Sequence, residues 1–263
     1  MTASMNKADM LHEETIDYER EPAPKLHAKT YLIVFAVSVV YLAQVINLVG
    51  AGAYRLAIAQ TVGGADKAIW LVTATTLGVV VLGPPVSQAA DFWGRRWLLI
   101  VLTFCGVIGS IIVSRATSMN MAIAGEVILS ASYGAQPLLH TVASEVLTHR
   151  NRVAGQAAVN VGSGMGGIVG LLAGAALVGA NPAGFRNFWY MTAGIYVVGS
   201  VILFVLYRPP PRENQTALTF RQKINRLDWV GYVLLAIGLV LFVMGLSWAN
   251  NPCKLCPQPH AGR

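Results

Sequence analysis

The sequence predicts an all-α, polytopic membrane protein, and three observations support that fold class. Hydrophobic residues make up 55% of the 263 residues, whereas charged residues make up only 12%. Soluble domains carry about a quarter charged residues, so a soluble core would not bury this much apolar surface. Seven stretches are as long as a helix needs to cross about 30 Å of hydrocarbon. The basic residues fall in the gaps between those stretches. A lipid bilayer is therefore the expected solvent.

The seven apolar stretches predict seven membrane-spanning helices, each about 20 residues long. They lie at residues 30–50, 67–88, 97–115, 119–140, 155–179, 188–207 and 228–249. Because the first six are joined by short connections, we expect one six-helix bundle over residues 30–207. Residues 208–227 are polar and include three consecutive prolines, which predicts a cytoplasmic linker between this bundle and the seventh helix.

The two ends of the chain have a different composition. Residues 1–29 carry four basic and six acidic residues and lack the pattern of a secretory signal, which indicates a disordered cytoplasmic tail. Residues 250–263 form an atypical short tail. Its Cys253 and Cys256 make a CxxC pair followed by His260, but no fourth zinc ligand is evident.

Cys105 lies in an apolar stretch and reads as a packed thiol. We expect no metal and no cofactor.

The positions of Lys and Arg predict the orientation in the membrane. With the N-terminal tail in the cytoplasm, thirteen of these residues lie on the cytoplasmic side and six on the outer side. Cytoplasmic loops carry the excess of positive charge in most membrane proteins. The sequon at Asn214 would then be cytoplasmic, so we expect it to be unmodified.

The basic residues behind the net charge of +7 are scattered rather than clustered, which argues against a nucleic-acid partner.

The turn between the second and third spans reads SQAADFWGRR. Gly94 permits a tight turn, Arg95 and Arg96 hold it at the anionic cytoplasmic surface, and Asp91 can pair with a base or cap a helix. Anchoring by positive charge explains the arginines but not Asp91 and Gly94. The pattern resembles the signature G-x-x-x-D-x-x-G-R-R/K of the major facilitator superfamily, with Ser87 in place of the first glycine. The resemblance implies a latch that holds two helical bundles in one access state.

The fifth span carries glycines four residues apart, which form a stripe of small residues along one helix face. Such stripes let membrane helices approach closely. The helix-packing glycines are Gly162, Gly166, Gly170 and Gly174. The first three also match part of the superfamily's antiporter signature, in which a Pro and a final Gly are replaced here. This partial resemblance suggests export. The sequence leaves open which helix packs against the stripe.

The fourth span contains a carboxylate, Glu126, where many superfamily members carry an arginine. A charged group within a membrane span is costly and usually faces the interior of a bundle. Glu126 is therefore either a structural acid paired with a neighbouring polar group or the carrier of a coupled proton. Tyr133 shares its helix face, and Gln136 lies on a neighbouring face. The following segment, EVLTHRNR, reads as a solvated cytoplasmic turn.

Amide side chains occur in two other spans. Gln44 and Asn47 are three residues apart in the first span, and Asn160 lies early in the fifth. Amides within membrane helices usually form hydrogen bonds across helices, and they can also line a cavity for the substrate. Together with Tyr133 and Gln136, these three are the candidate cavity residues.

Four segments carry a closer resemblance, namely YGAQPLLHTVASEVL, AAVNVGSGMGGIVGLLAG, GFRNFWYMTAGI and LDWVGYVLLAIGLVLFVMGLSW. Through them, residues 30–249 resemble the fungal fourteen-span branch of the superfamily, which holds trichothecene exporters and siderophore transporters. The resemblance implies a plasma-membrane transporter that is not an enzyme, with a small molecule and protons as partners. We expect efflux of a toxin or drug-like compound coupled to protons, with siderophore transport as the alternative. A superfamily member continues through a second bundle, so we expect the chain to be truncated. A transport-incompetent membrane protein is the third possibility.

Overall fold

The computed structural model describes residues 28–209 and 220–249, which form ten α-helices and no β-strand. The helices are α1 (Ala28–Ala53), α2 (Arg55–Val62), α3 (Ile69–Trp93), α4 (Arg95–Ser114), α5 (Met119–Ser130), α6 (Gln136–Val146), α7 (Arg152–Ala180), α8 (Phe185–Leu206), α9 (Phe220–Asn225) and α10 (Trp229–Ala249). Short 3₁₀ turns join several of them. The predicted all-α fold class is confirmed.

Five helical stretches are long and apolar enough to cross a membrane. They are Ala28–Ala53, Ala65–Trp93, Arg95–Ser114, Arg152–Gly179 and Pro182–Leu206. These five coincide with the first, second, third, fifth and sixth predicted spans. Most extend a few residues past the apolar stretch, because a helix can continue into polar residues once it leaves the hydrocarbon. The chain is a multi-pass integral membrane protein.

The fourth predicted span is helical but composite. It consists of α5, a 3₁₀ turn over Ala131–Ala135, and α6, and it ends at Val146 rather than near residue 140. Pro137 lies in the first turn of α6 and has no backbone N–H to donate to Tyr133. The Tyr133 carbonyl instead accepts from Gln136 in the tighter 3₁₀ pattern.

Helix α1 lies at the centre of the packing. It contacts α6, α7 and α8, while α4 packs against both α5 and α8, and α3 packs against α5 and the 3₁₀ turn. Buried side chains form two apolar clusters. One surrounds Tyr196 and Leu139, and the other surrounds Phe188, Trp189 and Leu129. Residues of α1 belong to both clusters.

The glycine stripe of α7 faces α1. A Cβ atom built on Gly162 would lie 2.9 Å from the Ser38 carbonyl oxygen, and one on Gly166 would lie 2.6 Å from that of Leu42. Both distances are too short for a real side chain, so glycine permits this approach. The partner that the sequence left open is therefore α1.

Residues 228–249, the predicted seventh span, contain helix α10, which packs against α3. This helix is not among the five long apolar stretches, so its crossing of the membrane stays a prediction. The Tyr232 hydroxyl of α10 donates a hydrogen bond to the Gln88 side chain. The described part of the linker contains the short helix α9. The N-terminal tail up to residue 27, the sequon at Asn214 and the C-terminal CxxC pair lie outside the described residues.

Candidate functional site

Glu126 is fully buried in α5, and its carboxylate accepts hydrogen bonds from two other helices. The Asn47 Nδ2 of α1 donates to Oε2 over 3.1 Å, and the Trp189 Nε1 of α8 donates to Oε1 over 3.1 Å. A carboxyl group buried without partners would destabilise the fold. The two N–H donors offset that cost, and they tie the fourth span to the first and the sixth.

Hydrogen bonds continue from Asn47 into the 3₁₀ turn of the fourth span. Asn47 Nδ2 also donates to the Tyr133 hydroxyl over 3.0 Å, and that hydroxyl donates to the Gln44 carbonyl oxygen over 2.9 Å. The Gln44 Nε2 donates to the Ser132 carbonyl oxygen over 2.7 Å, and the Ser132 and Tyr196 hydroxyls lie 2.9 Å apart. We call these residues, together with Glu126 and Trp189, the Glu126 network.

Two oxygens of the network have no hydrogen-bond partner among the described residues. They are Oε1 of Gln44 and Oδ1 of Asn47, and both side chains are fully buried. Buried polar atoms without partners are rare and usually have a reason. Rotation of the Asn47 amide would present Oδ1 to Glu126 as an acceptor. The site can therefore supply an N–H donor to a carboxylate or an oxygen acceptor to a protonated carboxyl group.

The structure brings together four of the six candidates that the sequence offered for proton coupling and the cavity, namely Glu126, Gln44, Asn47 and Tyr133. The other two lie elsewhere. Gln136 is half-buried at the start of α6, and Asn160 is exposed on α7, so neither belongs to the Glu126 network.

Sequence reasoning missed Trp189, Ser132 and Tyr196. Each has a donor group within an apolar stretch, which is the signal that singled out Gln44. Trp189 and Tyr196 lie on the sixth span, however, and only the packing of α8 against α1 and α4 brings them to the fourth. Periodicity along one helix does not reveal such neighbours.

The signature turn forms an ion-pair cluster at one end of the bundle. Gly94 ends α3 with a φ of 98°, a left-handed conformation that favours glycine. This places Arg95 at the start of α4, where Nη2 lies 3.1 Å from Oδ1 of Asp91 and Nη1 pairs with Glu145 of α6. Glu145 is exposed, as the sequence predicts, but it belongs to α6 rather than to a turn, and it pairs with Arg95.

The second arginine of the turn reaches the sixth span. Arg96 Nη2 donates to the Phe204 carbonyl oxygen over 3.0 Å, and its Cζ lies 5.8 Å from the centre of the Phe204 ring. Ser87, one helical turn before Asp91, is half-buried on α3. The cluster therefore links the turn between α3 and α4 to α6 and α8 within one bundle.

Within the described residues, His, Cys, Asp and Glu side chains form no group of three or more that could hold a metal ion.

Comparison with known proteins places these features in a family context. The family model described as Major Facilitator Superfamily matches residues 32–251. The MFS-type transporter sphD of Aspergillus fumigatus is 28% identical over 238 residues, which cover 89% of this chain and 40% of sphD. The efflux pump FUS6 of Gibberella fujikuroi is 25% identical over 256 residues, covering 95% of this chain and 44% of FUS6.

A third relative is named for its substrate class. The trichothecene efflux pump TRI12 of Fusarium sporotrichioides is 24% identical over 205 residues, which cover 74% of this chain and 33% of TRI12. The chain thus spans between a third and just under half of the length of these curated relatives.

Proposed function

Because the chain belongs to the major facilitator superfamily, a family of membrane transporters rather than enzymes, we propose that it serves proton-coupled efflux of a toxin or drug-like molecule. The observation that carries this proposal is the burial of Glu126 in the centre of the bundle. Its substrate is a small molecule, and its environment is the lipid bilayer. We place the protein in the plasma membrane with its N-terminus in the cytoplasm.

Glu126 is suited to carry the coupled proton. It is the one fully buried carboxylate among the described residues, and intramembrane carboxylates commonly serve as proton relays. Its partners come from the first and sixth spans. A change in the protonation of Glu126 would therefore alter hydrogen bonds between helices, which is what coupling of a proton to a conformational change requires.

The direction of transport is supported by the relatives. FUS6 and TRI12 are both named efflux pumps. The partial antiporter signature in α7 agrees with exchange of substrate for protons.

In the proposed transporter a second helical bundle completes the substrate pathway, since alternating access requires two halves that move around a central site. The length of the relatives supports this part of the proposal. Genomic sequence beyond the codon for Trp248 tests it. An open reading frame that encodes further membrane spans is expected, and the absence of such a frame contradicts it.

The latch role of the signature turn belongs to the same proposal. Arg95 contacts Asp91 and Glu145 within the bundle. We propose that this cluster holds the turn rigid in one access state, and that the contacts rearrange in the other.

The sign of the proton coupling tests the proposal in proteoliposomes that contain the protein together with the second bundle encoded by the extended reading frame. A pH gradient is imposed, and accumulation of a radiolabelled trichothecene is measured with the acidic side inside and then outside. Exchange of substrate for protons predicts accumulation on the acidic side in both arrangements, whichever way the protein has inserted.

Two results of this experiment contradict the proposal. Accumulation on the alkaline side would indicate uptake together with protons, as the siderophore alternative requires, and a ferric siderophore is assayed in parallel. Equal distribution across the membrane under both gradients would indicate a transport-incompetent protein. A gradient collapsed by a protonophore provides the control.

A further inference from the structure

A groove of about 540 Å³ runs along the surface between α1 and α7. Its lining is almost entirely apolar and includes small side chains that leave the space open. The residues that shape it are Phe35, Ser38 and Leu42 of α1 and Ala158, Val161 and Met165 of α7. No part of the function proposed above uses this groove.

The groove opens on the side of α7 that faces away from α6. On α7, Gln156 faces α6, because its Nε2 donates to the His140 carbonyl oxygen over 2.7 Å and its Oε1 lies 2.7 Å from His140 Nδ1. At about 100° per residue, Ala158 and Met165 lie about 200° and 180° around the helix from Gln156. Met165 is 53% exposed and Phe35 is 57% exposed. The groove therefore lies on the outer surface of the bundle.

The length of the groove matches one leaflet of a bilayer. On α1 the lining extends from Tyr31 to Leu42, and on α7 it extends from Ala154 to Met165. Each stretch rises about 16 Å at 1.5 Å per residue. Half of a hydrocarbon core about 30 Å thick has nearly the same depth. One acyl chain that enters at the polar end would thus be accommodated along its length.

Exposed positive charges lie at one end of the groove. Lys29 is two residues before Tyr31, and Arg150 and Arg152 flank Asn151, a residue that itself lines the groove. The three basic side chains are exposed, and no described residue forms an ion pair with any of them. This end is the proposed cytoplasmic end, where the leaflet carries anionic lipids.

We infer that this groove binds an anionic phospholipid, with one acyl chain between α1 and α7 and the phosphate at Lys29, Arg150 and Arg152. The apolar lining supplies the site for the acyl chain, and the cationic end selects the charge of the headgroup. The inference uses the proposed orientation but not the proposed transport. A failure of lipid binding and a failure of transport are therefore separate results.

Native mass spectrometry of the chain in detergent tests the inference. The chain is delipidated and offered phosphatidylglycerol and phosphatidylcholine in equal amounts. We expect phosphatidylglycerol to be retained in preference. Since each basic residue near a membrane surface contributes about 1 kcal/mol of attraction to anionic lipid, K29Q and R152Q should each reduce that preference about fivefold. R115Q, a change of the same kind beyond the opposite end of the bundle, should leave it unchanged.

A second pair of variants tests the location of the acyl chain. A158W fills the groove and should lower retention of phosphatidylglycerol, whereas A157W adds the same side chain at an exposed neighbouring position outside the groove and should not. In the unaltered protein, a phosphatidylglycerol with a photoreactive group on its acyl chain should label α1 between Tyr31 and Leu42 and α7 between Ala154 and Met165.

The inference is overturned by equal retention of the two lipids, by unchanged preference in K29Q and R152Q, or by photolabelling confined to other helices. Equal retention of phosphatidylglycerol by A158W and A157W also contradicts the inference, because the acyl chain of the lipid would then lie outside the groove. Should A158W fail to fold, the photolabelling of the unaltered chain still decides.

Discussion

Arg95 shows how one residue can hold several elements in place. Its side chain is only 13% exposed, and its guanidinium group meets a carboxylate on each side. A largely buried guanidinium needs such partners, because an unpaired charge away from water is costly. Arginine suits the position, since its planar group can contact Asp91 and Glu145 at once. Through this residue the turn between α3 and α4 is fixed to α6.

Coupling between Arg95 and Glu145 is measurable by a double-mutant cycle. We expect R95Q and E145Q each to lower the free energy of unfolding, and the double variant to lose less than the sum of the two. A partly exposed pair should give an interaction of about 1 kcal/mol. Unfolding in mixed detergent micelles provides the measurement. D91N should have the smaller effect, because the Asp91 side chain is 48% exposed. Additive losses for R95Q and E145Q would contradict the pairing.

At this scale, much of the candidate site could be predicted from the sequence. A polar group within an apolar stretch has few alternatives to facing the bundle interior, and this constraint singled out Glu126, Asn47 and Gln44. Asn160 is exposed on α7 and lies outside the Glu126 network, so its place in a substrate cavity stays a prediction. Glu145 was missed because the end of the fourth span was placed too early.

At the scale of elements, the contact of α1 with α7 depends on glycine. A Cβ on Gly166 would lie 2.6 Å from the Leu42 carbonyl oxygen, whereas one on Gly164 would meet nothing within 4 Å. Backbone atoms cannot move aside as the end of a flexible side chain can. The helices therefore approach closely only where the stripe faces α1.

The effect of a single methyl group tests this packing. We expect G166A to lower the free energy of unfolding by about 1–3 kcal/mol, because the added Cβ overpacks the contact with α1. G164A is the matched control on the same helix and should be neutral or slightly stabilising, since alanine favours helix more than glycine. Unfolding in mixed detergent micelles compares the two. Equal stability of the two variants would show that the stripe is not a packing surface.

The spans could be predicted because the thickness of a bilayer fixes how long an apolar helix must be. Details set by local chemistry were less accessible. The break in the fourth span follows from Pro137, which has no backbone N–H. The length and apolarity of the stretch do not reveal this break. Helix α2 was not predicted, because its eight residues are too few to form an apolar stretch of spanning length.

At the scale of the whole molecule, the Glu126 network lies where three parts of the bundle meet. Its members come from the first span, from α5 and the 3₁₀ turn of the composite fourth span, and from the sixth span. A change at Glu126 would thus reach the helices that hold the bundle together. Transport is the function of the major facilitator superfamily, to which this chain belongs. Glu126 is the residue that we propose to carry the coupled proton.

The variant E126Q tests whether Glu126 carries the proton. Glutamine has nearly the same shape as glutamate but cannot release a proton, and rotation of the Asn47 amide can supply the acceptor that it needs. The variant is made in the protein with its second bundle, and two activities toward a radiolabelled trichothecene are measured in proteoliposomes: accumulation driven by a pH gradient, and exchange across the membrane without a gradient. V127A, at an exposed neighbouring position, is the control. E126Q is expected to retain exchange but to lose gradient-driven accumulation, whereas accumulation at the level of the unaltered protein would show that Glu126 does not carry the proton.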